Sequence, residues 1–198
     1  MQYFDTLPKI IVQDNSGVSS IVTNLMARCS VIPNILKNPM VFYKYDIQED
    51  DTPEIVAHKY YDDSYRYWIV LFANQILDPQ WGWPLSSRQF ADYIKDKYPN
   101  IDPTNVVDHY EKIITQVDNA TQTITVNTVV IDQATFNSTI TGTKTYSLPT
   151  GSVTVTTEVK TVTIYDNEIK LNENKRNISI LNKRYVSQLE KELKDLLT

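Results

Sequence analysis

The sequence predicts an α+β fold: a small strand, helix, helix, strand module with flanking helices, an antiparallel β-hairpin insertion and a C-terminal helix. Three observations point to it. Val41 to Ile47 alternates in period two and is followed by two short helical patterns. From Asp118 to Asp166 threonine recurs at every second or third position. Lys183 to Leu197 carries its apolar residues along one helical stripe. At 198 residues the chain has room for one core of ordinary size and an appended part.

Residues 1–39 read as an extended N-terminal segment with a short helix. "YFDTLPKIIV" is extended, Asp14 to Gly17 is a turn, and Val18, Ile21, Val22 and Leu25 form the stripe of a helix that stops near Cys29, because Pro33 and Pro39 cannot continue it. Residues 40–117 hold the module and the helix after it. In the strand, Val41, Tyr43, Tyr45 and Ile47 share one face, with Lys44 and Asp46 on the other. Asp51 or Thr52 can cap a helix over Thr52 to Tyr61, Pro53 suits its first turn, and Glu54 suits the positive end of its dipole. Its inward stripe is Ile55, Val56 and Tyr60. A second, more apolar helix over Tyr65 to Asn74 turns Trp68, Leu71 and Phe72 inward, and Gln75 to Leu77 adds a strand beside Val41 to Ile47. Ser86 or Ser87 then caps an amphipathic helix, Arg88 to Tyr98, with Phe90, Tyr93 and Ile94 at helical spacing.

In residues 118–166, β-branched residues with few long aliphatics describe exposed antiparallel hairpins rather than a second core, so removing them should leave the module folded. Residues 167–198 form a C-terminal helical segment. There Tyr185, Val186, Leu189, Leu193, Leu196 and Leu197 line one side, and an isolated helix of that length needs a partner surface for such a stripe.

The net charge of −5 argues against a nucleic-acid binder, since phosphate affinity rests on clustered Lys and Arg. The doublets Lys175, Arg176 and Lys183, Arg184 read as a solvated face. Cys29 is the only cysteine, so no intrachain disulfide forms. Asp5 and Pro8 interrupt the N-terminus where a signal peptide needs an apolar run, and no apolar stretch is long enough to span a bilayer; both predict a chain that stays in the cytosol or in something assembled there. His58 and His109, the only histidines, lie in no metal-ligand or nucleophile spacing, and the four glycines are too scattered to cradle a phosphate. Glu49, Asp50 and Asp51 lack the alternation of a calcium loop and read as a solvated turn. The sequons at Asn119, Asn137 and Asn177 carry little meaning without a secretion signal. No catalytic residue, metal site, cofactor or small-molecule substrate is therefore predicted.

Trp81 and Trp83 flank Gly82 in a segment that Asp78, Pro79 and Pro84 mark as a loop. Three uses fit: a platform for a sugar or base, a loop folded onto its own core, or a plug that another protein buries. Pro84 and Leu85 tie Trp83 to the start of the next helix, which predicts that it closes the module, whereas Trp81 is freer.

"DDTPEIVAHKYY" and "YWIVLFANQI" resemble a LysM module, whose pattern is a Gly-Asp-Thr turn, a helix with Ile-Ala, and an Asn closing the second helix. The matching positions are Asp50, Asp51, Thr52, Ile55, Val56, Ala57 and Asn74, with Asp50 where the pattern has glycine. In sugar-binding LysM modules the loops before the first helix and after the second hold N-acetylglucosamine. The longer stretch "ANQILDPQWGWPLSSRQFADYIKDKYP" resembles the small baseplate wedge protein of T-even-type contractile-tailed phages, as do "YFDTLPKI" and "YDNEIKLNENKRNISILNKRYVSQLEKEL". The resemblance spans nearly all of the chain outside residues 118–164. It implies a non-enzymatic subunit of the virion tail baseplate, assembled in the host cytoplasm, that joins adjacent wedges around the tail hub. The partners it implies are other wedge subunits, including the sheath-initiator-type and dimeric wedge-scaffold proteins, with no nucleic acid and no membrane. On that reading the protein-interface residues are Trp81, Trp83, Leu85, Tyr185, Leu189, Leu193 and Leu196. A LysM-type peptidoglycan-binding module is the alternative.

Overall fold

The computed structural model describes residues 7–27, 29, 30, 38–149 and 151–197. In chain order its elements are β1 (Lys9–Gln13), β2 (Ser19–Thr23), β3 (Phe42–Asp46), α1 (Pro53–Tyr61), α2 (Tyr67–Ala73), α3 (Pro79–Gly82), α4 (Ser87–Lys97), β4 (Val107–Asp118), β5 (Thr123–Ile131), α5 (Gln133–Ser138), β6 (Gly142–Leu148), β7 (Gly151–Thr163), α6 (Ile164–Glu173), β8 (Asn177–Leu181) and α7 (Val186–Leu197). Helices and antiparallel strands mix as an α+β fold does. Two compact units result: Met1–Ser87 with Asn172–Thr198, and Arg88–Leu171.

In the first unit, β1 and β2 pair antiparallel with Ile11 opposite Ile21. The turn expected at Asp14 to Gly17 joins them: Asp14 Oδ1 accepts the N–H groups of Ser16 and Val18, and Gly17 takes a φ of +82°. The helix expected over Val18 to Leu25 is a strand instead. Val18, Ile21, Val22 and Thr23 are β-branched, and the tight turn lays them beside β1, which satisfies their backbone. The stop expected near Cys29 falls away with that helix; Pro33, one of the two prolines invoked for it, lies outside the described residues.

Thr52, not Asp51, caps α1, accepting the Ile55 N–H at 3.3 Å, and Asp62 closes the helix in the left-handed region. The inward row is Pro53, Ala57 and Tyr61 with Val56; Ile55 is exposed and Tyr60 half-buried. Tyr61 sets this rotation by donating its hydroxyl to Leu181 O at 3.1 Å within the core. A 3₁₀ turn at Ser64–Arg66 leads into α2, which is buried nearly all round: Trp68, Ile69, Val70, Leu71 and Ala73 face the interior, whereas Phe72 is half-buried.

Gln75 to Leu77 is not the second strand. Gln75 adopts a φ of +56° and the Ile76 N–H turns back to Leu71 O, which ends the extended path. The partner of β3 is β8, antiparallel, with Phe42 opposite Leu181 and Tyr45 opposite Ile178. Strand, helix, helix and strand are all present, but the fourth comes from the C-terminal segment, so residues 40–117 hold three of the four. Phe42 on β3 and Ile47 just after it are buried, while Tyr43 is exposed. The core joins these residues to Val56, Ala57, Tyr61, Ile69, Val70, Ile178, Ile180, Val186 and Leu193.

In the second unit the sheet order is β5-β4-β7-β6, all antiparallel. It starts at Val107, eleven residues before the threonine-rich composition does, because β4 is mixed in charge yet pairs along its length with β7. β5 and β6 are exposed on both faces, as hairpins without a second core are. An unforeseen short helix, α5, is capped by Asp132 and sets Phe136 on Tyr110, with ring centroids 4.6 Å apart. On α4, Phe90 and Ile94 are buried, and Phe90 meets Tyr165 edge to face at 5.9 Å.

Candidate interaction surfaces

The tryptophan segment is a short helix rather than a loop. Asp78 caps it, accepting the Gln80 N–H at 3.0 Å, and the N–H groups of Gly82 and Trp83 return to Asp78 O and Pro79 O. Gly82 is dictated by contact: a Cβ there would lie 2.7 Å from Ile76 Cγ2. Trp83 is buried and donates Nε1–H to Asp51 O at 2.7 Å, bracing the segment against the turn before α1. Leu85, half-buried, is gripped by Asn172, whose side-chain oxygen accepts its N–H at 2.8 Å and whose amide donates to its carbonyl at 3.0 Å. Trp81 is 57% exposed, and its carbonyl accepts Lys175 Nζ at 2.8 Å.

The turn before α1 is built rather than solvated. Asp50 takes a φ of +63°, a conformation glycine accepts freely and aspartate tolerates. Asp51 is buried and accepts from Tyr45 Oη at 2.7 Å, Lys59 Nζ at 2.5 Å and the Gln48 N–H at 3.2 Å. Burial pushes its carboxyl up, but hydrogen bonds from Lys59, Tyr45 and Gln48 outweigh this and hold it below the usual range. Burial, with the Asp51 hydrogen bond, lifts the Tyr45 phenol to about 12. Glu49 accepts the Ser87 N–H and pairs with Arg176, whose fork also reaches Glu173.

Of the C-terminal stripe, Leu193 and Val186 are core residues of the chain itself, Leu193 only 2% exposed. Tyr185 and Leu189 are half-buried and line an apolar groove of about 330 Å³ with Val41, Phe42, Phe72 and Leu181. Leu196 is exposed. Trp83 and Leu193 therefore serve this chain's own interior; Trp81 and Leu196 lie at its surface.

An apolar surface that the sequence does not announce lies on the β1–β2 hairpin. Leu7, with Ala27 and Cys29, packs against the core and anchors the β1–β2 hairpin, but the hairpin itself stands open on both faces. Ile11 is 74% and Ile21 71% exposed on one face, and Ile10 and Val22 are exposed on the other. The residues were visible in the sequence; reading them as one helical stripe hid the second face. Three asparagines imitate backbone, and of these Asn172 and Asn182 are not foreseen from the sequence. Asn74 bonds both the N–H and the carbonyl of Ser179 and so docks the end of α2 on β8, and Asn182 donates its side chain to Tyr43 Oη. Asn74 had a signal in the LysM pattern; for Asn172 the only hint is the poor helix propensity of asparagine near the end of α6.

His58 is exposed on α1. His109 turns Nδ1 to Asp108 Oδ2 at 2.6 Å and Nε2 to Glu111 Oε1 at 3.5 Å, and Glu111 pairs with Lys170 at 2.7 Å. Glu168 accepts from Lys97 Nζ, Tyr98 Oη and Tyr93 Oη. Among the described residues no group of three or more His, Cys, Asp or Glu is arranged to hold a metal ion, and no helix is long and apolar enough to cross a membrane.

The family model of base plate wedge protein 53 matches residues 19–196. The chain belongs to this family. No curated protein matches it. Membership in the baseplate wedge family gives the chain a structural role in the tail baseplate of a phage virion. The matched span takes in the tryptophan segment, the apolar groove and β2, and begins after β1.

Proposed function

We propose that this wedge-family member is a non-catalytic brick, assembled in the host cytoplasm, that binds other wedge subunits and joins adjacent wedges into the ring around the tail hub. The observation that carries the reading is the β1–β2 hairpin. A two-stranded ribbon is marginal in water by itself, and this one displays Ile11 and Ile21 on one face and Ile10 and Val22 on the other. Apolar surface of that kind marks a protein contact. Trp81, Leu196 and the groove beside Tyr185 and Leu189 supply secondary contacts. The sheath-initiator-type and dimeric wedge-scaffold proteins are the partner classes that the family resemblance implies.

Peptidoglycan binding is the weaker reading, because the turn that would face a sugar spends its polar groups internally. Asp51 is taken by Tyr45, Lys59 and Gln48, and Glu49 by Ser87 and Arg176.

The test is co-expression with the other wedge proteins of the same phage, comparing the wild-type chain with an Ile11→Asp, Ile21→Asp double variant. Because the two side chains are exposed, the variant should fold. Its incorporation should fall by about thirtyfold or more, the loss expected when interface anchors are removed. Normal incorporation, or saturable heat on titration with chitin oligomers, would overturn the proposal.

A further inference from the structure

We propose that Asn172 and Lys175, two residues of the C-terminal segment, position the tryptophan segment so that Trp81 is held ready for a neighbouring wedge subunit. The inference rests on the reading of Trp81 as a secondary contact and adds to it the residues that aim it.

α3 is four residues long, too short to hold its shape in water by itself. Asp78 caps its start, and the groups that fix its far end come from distant sequence. Trp83 turns extended, with ψ at 147°, because Pro84 follows it, and the helix stops there. Had α3 continued, the Leu85 N–H would have served Trp81 O, four residues before it. Instead Asn172 takes that N–H at 2.8 Å, and Lys175 Nζ serves that carbonyl at 2.8 Å. The two side chains divide between them one hydrogen bond that the helix cannot make.

Asn172 is the firmer of the pair. It is 7% exposed, and its amide also donates to the Leu85 carbonyl at 3.0 Å, so it meets donor and acceptor of one residue as a neighbouring strand would. An aspartate there would turn a second acceptor on that carbonyl, and an apolar residue would leave both groups of Leu85 without it. Lys175 suits its own place, since Trp81 O lies in the last turn of α3, where carbonyls lack helical donors and a cation is favoured. Both residues share one turn, the Lys175 N–H returning to Asn172 O at 3.1 Å, so a single short stretch holds the tryptophan segment at two points. Trp81 lies between the Asp78 cap and the Leu85 anchor, with its side chain exposed.

The full chain labelled with 5-fluorotryptophan carries three fluorine resonances, from Trp68, Trp81 and Trp83, and the line lost in Trp81→Phe assigns Trp81. Asn172→Ala should shift and sharpen that line in the free chain, while the line of Trp68, in the core, stays in place. Lys175→Met should do the same more weakly, and Lys175→Arg should restore the wild-type line. In co-expressed wedges Trp81→Ala and Asn172→Ala should each lower incorporation, Asn172→Ala by about tenfold, as expected when the binding-competent arrangement falls to about a tenth of the molecules. The double variant should fall no further than Trp81→Ala alone, because both changes act through one side chain. An unmoved Trp81 line in Asn172→Ala, or additive losses in the double variant, would overturn the proposal while leaving Trp81 a contact. Normal incorporation of Trp81→Ala would overturn the contact and, with it, the role of Asn172. Should Asn172→Ala move the Trp68 line as well, Lys175→Met and Lys175→Arg decide by the same readings.

Discussion

Asp51 is the residue on which the tryptophan segment, β3 and α1 converge. Its carbonyl accepts from Trp83, and its carboxylate accepts from Tyr45 and Lys59. Because its carboxyl lies below the ordinary range when folded, the stability it contributes is present above the unfolded value of about 4 and is lost as pH falls through the lower folded value. Glu168 and Glu111 are depressed too, Glu168 against burial by Lys97 and Tyr98, Glu111 chiefly by Lys170, and they add to the same acid limb. Asp51→Asn should therefore lose about 1–3 kcal/mol at pH 7 and show a shallower decline as pH falls below about 4, followed by denaturant unfolding at each pH. An acid limb as steep as the wild type's would show that Asp51 does not titrate with folding. The residue scale was half legible in the sequence. Thr52, Pro53 and Asn74 announce themselves by type and place, whereas Asp51 looks like any member of an acidic turn until Tyr45 and Lys59 are brought beside it.

Among the elements, local pattern succeeded where the partner is near in sequence and failed where it is distant. α1, α2, α4 and α7 were each expected within a few residues of where they lie, because periodicity and caps are local properties. The partner of β3 was misplaced because nothing in Phe42 to Asp46 says that the complementary strand lies at Asn177 to Leu181. For Val18 to Leu25, a helical spacing of apolar residues and a two-faced ribbon share the same positions, and β-branching decided between them. Much of the C-terminal stripe closes the core that β8 completes. Leu193→Asp should consequently abolish cooperative thermal unfolding rather than yield a folded, assembly-defective chain, since burying an unpaired carboxylate adds to the roughly 2–5 kcal/mol that loss of a core leucine costs. Leu196→Asp, at an exposed position of the same helix, should leave the melting temperature nearly unchanged. Equal effects at the two positions would contradict this division of α7.

For the whole molecule, the family match and the apolar hairpin point the same way: a chain with a closed core and surfaces that water should not keep. The core around Tyr61 and Ile69 contains no residue of β5 or β6. Asp118 and Val153 are paired, so a two-residue Asn-Gly turn can replace residues 119–152 and close β4 onto β7. Thermal unfolding should still report a cooperative transition for the core around Tyr61 and Ile69, and its loss would show that the hairpins carry that core. On this reading β1 and β2 are covered in the baseplate. Amide hydrogen exchange over Lys9–Gln13 and Ser19–Thr23 tests it most directly, measured on the free chain and on the same chain within assembled wedges. Exchange should be fast in the free chain and strongly slowed on assembly. Equal exchange rates in the two states would contradict it.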